Sequence, residues 1–142
     1  MAESELITLA RITVQGFNAG EPERYLAGFA PDVVYEEIAT QRRVQGASAV
    51  SECWEGWRKA MPDVNGTITG AVADGDTAVL EVTWTGTQMG PLVGQGVTIP
   101  ASGKRQVTRA AFVFTIRGNK IHAMRHYFDM MLLLQQLGVP TR

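Results

Sequence analysis

Tyr35 and Glu37 are the first residues in the chain whose types and spacing suit acid–base chemistry. They lie in the stretch Asp32–Ile38, which predicts a strand. Alternate side chains of a strand share a face, so Tyr35 and Glu37 point one way and Glu36 the other. A carboxylate on a buried face loses hydration, which raises its pKa from ~4.3 and makes it a better base. The alternative places Glu37 at a solvated strand end, near Arg42–Arg43.

His126 is the second candidate, because imidazole titrates near neutral pH and can both give and take a proton. Strand parity places Met124 and Phe128 on its face, and both are apolar enough to line a pocket. A lone histidine among apolar residues can also be an ordinary packed residue of the core. His122 shares this parity but follows a hairpin turn, where we expect it to be exposed. Two histidines without a third ligand make a weak metal site, so we expect no metal.

Asp129 directly precedes the apolar run Met130–Leu134, which begins a predicted final helix. An aspartate in this place is a good N-cap, because its carboxylate accepts hydrogen bonds from backbone N–H groups. We therefore expect Asp129 to cap the helix, and a catalytic role is the alternative.

The elements that must position these residues are helices early in the chain and strands later. Apolar residues at three- and four-residue steps predict an amphipathic helix over Ser4–Phe17, and further helices are predicted over Glu21–Phe29 and Ala47–Met61. Two hairpins follow, each around a glycine-containing turn, and their strands cover residues 64–72, 77–87, 105–116 and 120–128. This order predicts an α+β fold, with helices on one face of a curved sheet that encloses a cavity.

The segment Gln88–Gly103 is rich in glycine and joins two predicted strands. It is long for a hairpin connection, and such loops often act as functional lids. A mobile surface loop is the alternative.

The composition is that of a globular protein with a single domain, residues 1–142, with 45% apolar and 19% charged residues. A net charge of -1 argues against a nucleic-acid partner. The one cysteine cannot form an intrachain disulfide and suits a reducing cytoplasm. The acidic N-terminus and short apolar runs predict neither a signal peptide nor a membrane span. We therefore expect a cytoplasmic protein. The chain has no glycine-rich phosphate loop, so we also expect no cofactor.

Several short motifs, taken in order, cover nearly the whole chain. They are Gly16–Gly20, Phe29–Tyr35, Thr85–Leu92, Gly103–Arg105, Tyr127–Asp129 and Leu133–Gly138. Together they resemble the nuclear-transport-factor-2-like superfamily, and within it the SnoaL-like polyketide cyclases. The resemblance implies a cone, in which three N-terminal helices wrap a curved, mostly antiparallel sheet around an internal pocket, with a short C-terminal helix. It also implies frequent homodimers, and relatives that include ketosteroid isomerases, limonene-type epoxide hydrolases and aldol cyclases.

The resemblance also implies roles for individual residues. Glu37 stands where ketosteroid isomerases carry their proton-abstracting carboxylate, and His126 stands where limonene-type hydrolases carry a catalytic aspartate. The remaining hydrolase positions hold Val82 and Trp84, so water activation by that route is not expected. The leading hypothesis is a cyclase or isomerase in which Glu37 removes a proton next to a carbonyl. His126, helped by Tyr35, then stabilises or protonates the enolate.

Intramolecular aldol closure of a polyketide or its ester would fit this chemistry. Epoxide opening on the same fold and a non-catalytic ligand-binding module are the alternatives. Large aromatic side chains beside a small alanine suggest a slot for a flat or polycyclic ligand, although some of these residues belong to any ordinary core. The predicted wall residues are Phe17, Trp54, Trp57, Met61, Val82, Trp84, Thr108, Ala110, Met124 and Phe128.

Overall fold

The computed structural model describes residues 2–94 and 96–140. Its helices are α1 (Glu3–Asn18), α2 (Pro22–Leu26), α3 (Ala47–Ala60) and α4 (Met130–Gln136), with a 3-10 turn at Ile38–Thr40. Its strands are β1 (Phe29–Glu37), β2 (Arg42–Gln45), β3 (Asn65–Asp74), β4 (Thr77–Thr87), β5 (Leu92–Gly94), β6 (Val97–Ile99), β7 (Arg105–Arg117) and β8 (Lys120–Phe128). The predicted α+β class is confirmed. In the described parts of the chain, no helix is both long and apolar enough to cross a membrane.

One curved sheet has the strand order β2–β1–β8–β7–β4–β3, and β5 and β6 form a separate two-stranded ribbon. Within the large sheet, β1 and β8 run parallel and every other neighbouring pair is antiparallel. The parallel pair matters for the site, because it places Glu37 directly beside His126 in register.

Three short strands were not predicted, and β1 begins earlier than expected. The β2 sequence is polar and pairs only with β1, at the edge of the sheet. It therefore lacks the apolar alternation that marks a half-buried strand. Phe29 belongs to β1 rather than to the preceding helix, because it pairs with Ile121 on β8. The extension of β1 to Phe29 thus comes from pairing with a distant residue, whereas β2 pairs locally but lacks the apolar pattern of a strand.

The hairpin between β7 and β8 forms where the sequence predicts it. Gly118 and Asn119 both have positive φ, 56° and 65°. Two such residues in succession make the turn whose twist matches that of the flanking strands.

The core lies between the concave face of the sheet and helices α1 and α3. Strands β4 and β7 alternate buried and more exposed residues over most of their length, and cross-strand pairs such as Leu80 with Phe112 face the helices. Trp54 of α3 stands at the centre of this core. The ring centroids of Phe17, Tyr25, Phe29, Tyr35 and Phe112 lie 4.9 to 6.1 Å from its own.

The segment Gln88–Gly103 is held to the body of the protein rather than placed over the pocket. The backbone N–H groups of Met89 and Gly90 both donate to the carbonyl of Ala60 at the end of α3, at 2.9 and 3.1 Å. Within the segment, the buried amide of Gln88 donates to the carbonyls of Ile99 and Pro100, each at 3.2 Å. Gln95 lies outside the described residues, and no described residue of the segment lines the internal cavity. The lid prediction therefore finds no support in the described part of the segment.

Candidate functional site

An internal cavity opens between α1, α3 and the concave face of the sheet, with a volume of about 70 Å³. Its walls are almost entirely apolar, and Glu37, Tyr35 and His126 lie together in them. Only Trp57, Trp84 and Phe128 among the lining residues are partly exposed, so the cavity reaches the surface beside these rings. The wall therefore combines a polar group of three residues with an apolar enclosure.

The Glu37 carboxylate is buried and receives hydrogen bonds from side chains on several different elements. Oε1 accepts from Thr40 Oγ1 at 2.7 Å and from Arg42 Nη2 at 2.9 Å. Oε2 accepts from the Tyr35 hydroxyl at 2.7 Å and from Trp57 Nε1 at 2.8 Å. Both oxygens are thus occupied by strong donors.

These donors change the acidity that the sequence suggests for Glu37. Burial by itself favours the neutral acid, but the charge of Arg42 and the hydrogen bonds from Thr40 and Tyr35 hold the pKa of Glu37 below its ordinary value. The prediction of a raised pKa was wrong, because it counted lost hydration and not the donors that replace water. Glu37 is an anion without a free lone pair and a poor proton acceptor.

Tyr35 connects Glu37 to His126. Its hydroxyl donates to Glu37 and lies 2.8 Å from Nδ1 of His126. Burial and the neighbouring Glu37 charge raise the pKa of Tyr35 well above its ordinary value, so the phenol keeps its proton. Since that proton goes to Glu37, the Tyr35 oxygen accepts from His126 and Nδ1 carries a hydrogen.

The second nitrogen of His126 faces Trp84. The indole Nε1 of Trp84 donates to Nε2 of His126 at 3.1 Å. An indole nitrogen only donates, so Nε2 must hold the lone pair, in agreement with a proton on Nδ1. Burial lowers the pKa of His126 to about 4, although the charge of Glu37 acts in the opposite direction. His126 is neutral at physiological pH, with one defined tautomer.

Local sequence explains part of this arrangement. Tyr35 and Glu37 share a face through strand parity, as predicted, and Glu36 on the other face is less buried. The His126 ring stacks on Phe112, its cross-strand partner, at a centroid distance of 4.3 Å and an interplanar angle of 16°. This stacking fixes the ring plane, while Tyr35 and Trp84 fix its two nitrogens.

Asp129 does not belong to the cavity. It is exposed, and its Oδ1 accepts the backbone N–H of Leu132 at 3.1 Å at the start of α4. The structure therefore places Asp129 as the helix cap that its position before an apolar run suggests, and not as a group facing a substrate. His122, which was expected to be exposed, is half-buried, and its Nε2 lies 3.3 Å from the carbonyl oxygen of Arg117.

The structure separates the predicted wall residues into two groups. The residues that line the cavity are Phe17, Trp54, Trp57, Met61, Trp84, Thr108 and Phe128. Val82, Ala110 and Met124 do not line it, which corrects the prediction for these three. Val82 and Ala110 are cross-strand partners on the correct face, but they are short, and Met124 is fully buried beside Phe114. Strand parity predicts the face on which a side chain lies. Whether that side chain lines the cavity depends also on its length and on how deeply it is packed.

Several residues of the site were not predicted. Thr40 and Arg42 hold the Glu37 carboxylate from the 3-10 turn and β2, which the sequence suggests to be a polar loop. The cavity is also lined by residues that parity arguments passed over: Thr13, Val64, Gln106 and Leu133. Gln106 could have been predicted from the sequence, because it shares strand parity with Thr108.

The cavity is smaller than the slot for a polycyclic ligand that the sequence suggests. A cavity of about 150 Å³ is large enough for benzene in another protein, roughly twice the volume found here. Trp57 and Phe128 pack edge to face, 6.1 Å apart, beside the opening. A ring-shaped ligand therefore requires these partly exposed rings to move aside.

Solved structures share this fold over nearly the full length. A candidate SnoaL-like polyketide cyclase from Jannaschia Sp. CCS1 has 17% identity and a TM-score of 0.87, over 98% of this chain and 95% of that one. TsrD from Streptomyces laurentii has 24% identity and a TM-score of 0.84, over 99% of each chain. IdmH from Streptomyces antibioticus, a candidate polyketide cyclase, has 21% identity and a TM-score of 0.76, over 93% of this chain and 97% of that one.

No curated protein sequence matches this chain. The family model for SnoaL-like polyketide cyclases, in contrast, matches residues 7–137, which include the described cavity lining. The superfamily and the branch suggested by the motifs are therefore confirmed. The chain belongs to the SnoaL-like polyketide cyclase family.

Proposed function

We propose that this protein is a cyclase or isomerase that moves a proton next to a carbonyl group, with His126 as the acid–base residue. Family membership supports the general cyclase or isomerase kind. The observation that carries the proposal is the hydrogen-bonded line from Glu37 through Tyr35 to His126, which ends at Nε2 in an apolar cavity. The reaction that fits best is intramolecular aldol closure of a polyketide-like substrate or its ester.

His126 replaces Glu37 as the proton acceptor in this proposal. The pKa of each group is lowered in the empty site, so the choice between them rests on access to a lone pair. The lone pair of Nε2 accepts from the Trp84 indole alone, which a ligand carbonyl can draw away, whereas four donors hold the two Glu37 oxygens. When Nε2 takes a proton, the imidazolium keeps its Nδ1–H on Tyr35, and the Glu37 anion stabilises the positive charge through that hydroxyl. Glu37 thus supports the base electrostatically, as the buried carboxylate of a catalytic triad does.

Trp84 provides the hydrogen-bond donor for the enolate oxygen in this proposal. Its indole N–H binds Nε2 in the empty site, at 3.1 Å. When the indole turns to the carbonyl oxygen of a bound substrate, the lone pair of Nε2 becomes free to take the proton, and the indole stabilises the developing enolate oxygen. The enolate carbon then attacks a second carbonyl of the same molecule, and the resulting alkoxide takes the proton back from Nε2. The protein is unchanged at the end, and no co-reactant is consumed.

Epoxide hydrolysis of the limonene type fits this site less well. That route holds water with carboxylate and guanidinium groups, but the aligned positions here carry Val82, Trp84 and His126. Val82 lies outside the cavity, and Trp84 offers only a donor.

Hydrogen–deuterium exchange next to a carbonyl tests the proton transfer itself and does not require the natural substrate. Small aryl ketones are incubated with the protein in D₂O, and exchange is followed by NMR. His126→Asn should lower the exchange rate by about 100-fold or more, since general-base contributions are commonly that large. His122→Asn is the matched control and should exchange at the wild-type rate.

The Glu37→Gln variant separates the two possible bases. If His126 is the base, Glu37→Gln slows exchange without abolishing it. If exchange survives in His126→Asn and disappears in Glu37→Gln, then Glu37 is the base and the assignment is wrong. Aryl ketones that bind but never exchange would instead favour a ligand-binding module.

A further inference from the structure

Gln106 and Thr108 form a second polar group in the cavity wall. They lie two positions apart on β7, so both side chains point to the concave face, and both are buried. Thr108 Oγ1 donates to Gln106 Oε1 at 2.5 Å. Neither residue contacts Glu37, Tyr35 or His126 through a hydrogen bond among the described residues, and the mechanism above does not use them.

The amide nitrogen of Gln106 lacks an adequate acceptor. It carries two hydrogens, and the one acceptor for it among the described residues is the thioether sulfur of Met61, at 3.5 Å. A thioether accepts hydrogen bonds only weakly. The short contact to Thr108 identifies the oxygen side of the amide, because 2.5 Å suits a hydroxyl–oxygen contact better than an N–H donor. The NH₂ group is therefore a buried donor with spare capacity.

The residue opposite Gln106 is a glycine, which leaves space for Met61 beside the amide. Gly86 is the cross-strand partner of Gln106. A Cβ at Gly86 would lie 3.1 Å from both Cβ and Sδ of Met61, so the glycine gives Met61 room to lie against this end of the sheet. The threonine hydroxyl also keeps unused lone pairs. The pair can thus donate through the amide and accept through Thr108.

We propose that Gln106 and Thr108 bind an oxygen of the substrate, either a carbonyl or a hydroxyl. Along the backbone, Thr108 lies about 13 Å from Phe112, the cross-strand partner of His126, although Trp84, opposite Thr108, reaches Nε2 of His126 with its indole. Within this proposal, the oxygen bound here is a second one of the ligand, distinct from the carbonyl that reacts at His126. The pair selects ligands with oxygen functions at both ends over hydrocarbons of similar shape, because a hydrocarbon leaves the amide unpaired.

This proposal deepens the proposed function by describing its substrate, but it is tested by binding alone. The probes are p-cresol and p-xylene, which differ by a hydroxyl in place of a methyl group. The three tryptophans of the chain all line the cavity, so their fluorescence reports binding. Wild-type protein should bind p-cresol about five- to tenfold more tightly than p-xylene, the effect expected of one hydrogen bond.

Gln106→Met keeps the length of the side chain and removes the donor. It should bring the p-cresol to p-xylene affinity ratio close to one, while Gln45→Met, the same change on the exposed edge strand, keeps the wild-type ratio. If Gln106→Met does not fold, Thr108→Val decides, because loss of the hydroxyl frees the amide to turn and should lower the ratio.

A wild-type ratio in Gln106→Met overturns the proposal, and so does the absence of any preference for p-cresol in the wild-type protein. A preference that is lost in His126→Asn but kept in Gln106→Met also overturns it, since the hydroxyl then binds at the other end. None of these outcomes depends on turnover, so failure here is separate from failure of the exchange experiment.

Discussion

The hydroxyl oxygen of Tyr35 lies 2.8 Å from Nδ1 of His126. The same hydroxyl donates its only proton to Glu37, so this contact fixes the hydrogen of His126 on Nδ1 and leaves Nε2 as the basic nitrogen. Tyr35, in agreement with the Trp84 donor on Nε2, therefore sets which nitrogen of the histidine can act on a ligand. It also gives the buried carboxylate a route to stabilise a charged imidazole.

Tyr35→Phe should weaken this arrangement while it preserves the ring. Two buried partners lose a hydrogen bond, so we expect a loss of about 1–3 kcal/mol in the free energy of unfolding. The exchange rate should fall by about tenfold or more, because Nδ1 of His126 loses its acceptor and the Glu37 charge no longer acts on the imidazolium through the hydroxyl. Chemical denaturation and the ketone exchange assay measure the two effects. Tyr127→Phe, on an exposed tyrosine, is the control, and wild-type exchange in Tyr35→Phe would contradict the role of the hydroxyl.

Stability should fall as the pH is lowered from about 6.5, because of His126. Its pKa is lowered from 6.5 to about 4 in the folded protein, so between these values the unfolded chain binds a proton that the folded protein does not. The full difference amounts to about 3 kcal/mol, and this loss is absent above pH 6.5. Glu37, whose pKa is also lowered, adds its own loss only below its ordinary value of 4.5.

Denaturation at several pH values between about 4.5 and 7.5 measures this dependence. The slope between about pH 6.5 and 4.5 should disappear in His126→Asn and persist in His122→Asn. An equal slope in wild type and His126→Asn would show that other groups cause it.

The sequence predicts which face of a strand a side chain lies on better than it predicts which other residues that side chain meets. Parity places Tyr35 with Glu37 and marks the even-numbered residues of β7, and an apolar run after Asp129 marks its role as a cap. The parallel pairing of β1 with β8, which sets Glu37 beside His126, joins residues 89 positions apart and leaves no local signal. Arg42 lies on a polar edge strand, so the pKa of Glu37 could not be predicted from its own strand. Val82 shows the same limit, because its face is predictable and its depth is not.

Arg42→Met should reveal how far this arginine holds Glu37 in its ionised form. The variant removes the contact at 2.9 Å and leaves a buried carboxylate with neutral donors. Breaking a buried ion pair costs about 3–5 kcal/mol, and the partial exposure of Arg42 reduces this to about 2 kcal/mol. Because the pKa of Glu37 then rises, the loss should be larger at about pH 7 than at about pH 4.5. Arg43→Met, an exposed neighbour on β2, should change stability little, and an equal effect in both variants would contradict the assignment.

Asp129 provides a test of a cap against a catalytic group. Asp129→Ala should lower the free energy of unfolding by about 1 kcal/mol, since it removes the acceptor for the Leu132 N–H. Asp129→Asn should retain most of that stability, because asparagine is also a good N-cap. Neither variant should change the rate of exchange in the ketone assay. A loss of exchange in the stable Asp129→Asn protein would restore a catalytic role to this carboxylate.

Gly66→Ala should disturb the site without altering any of its polar groups. A Cβ at Gly66 would lie 2.6 Å from Cζ3 of Trp84, so the indole must move. Trp84 packs edge to face on Phe17 at 5.6 Å and donates to His126. A displaced indole would therefore weaken one or both of these contacts. We expect about 1–3 kcal/mol of destabilisation from overpacking, together with a change in tryptophan fluorescence and slower exchange.

Gly56→Ala is the matched control, because a Cβ there meets nothing within 4 Å. Gly56 lies inside α3, so the alanine should raise the free energy of unfolding by about 0.5–1 kcal/mol and leave exchange unchanged. The opposite signs of the two glycine variants separate a change in backbone freedom from a displaced indole. Wild-type exchange in Gly66→Ala, together with a shifted Trp84 signal, would show that the indole N–H is not required for proton transfer.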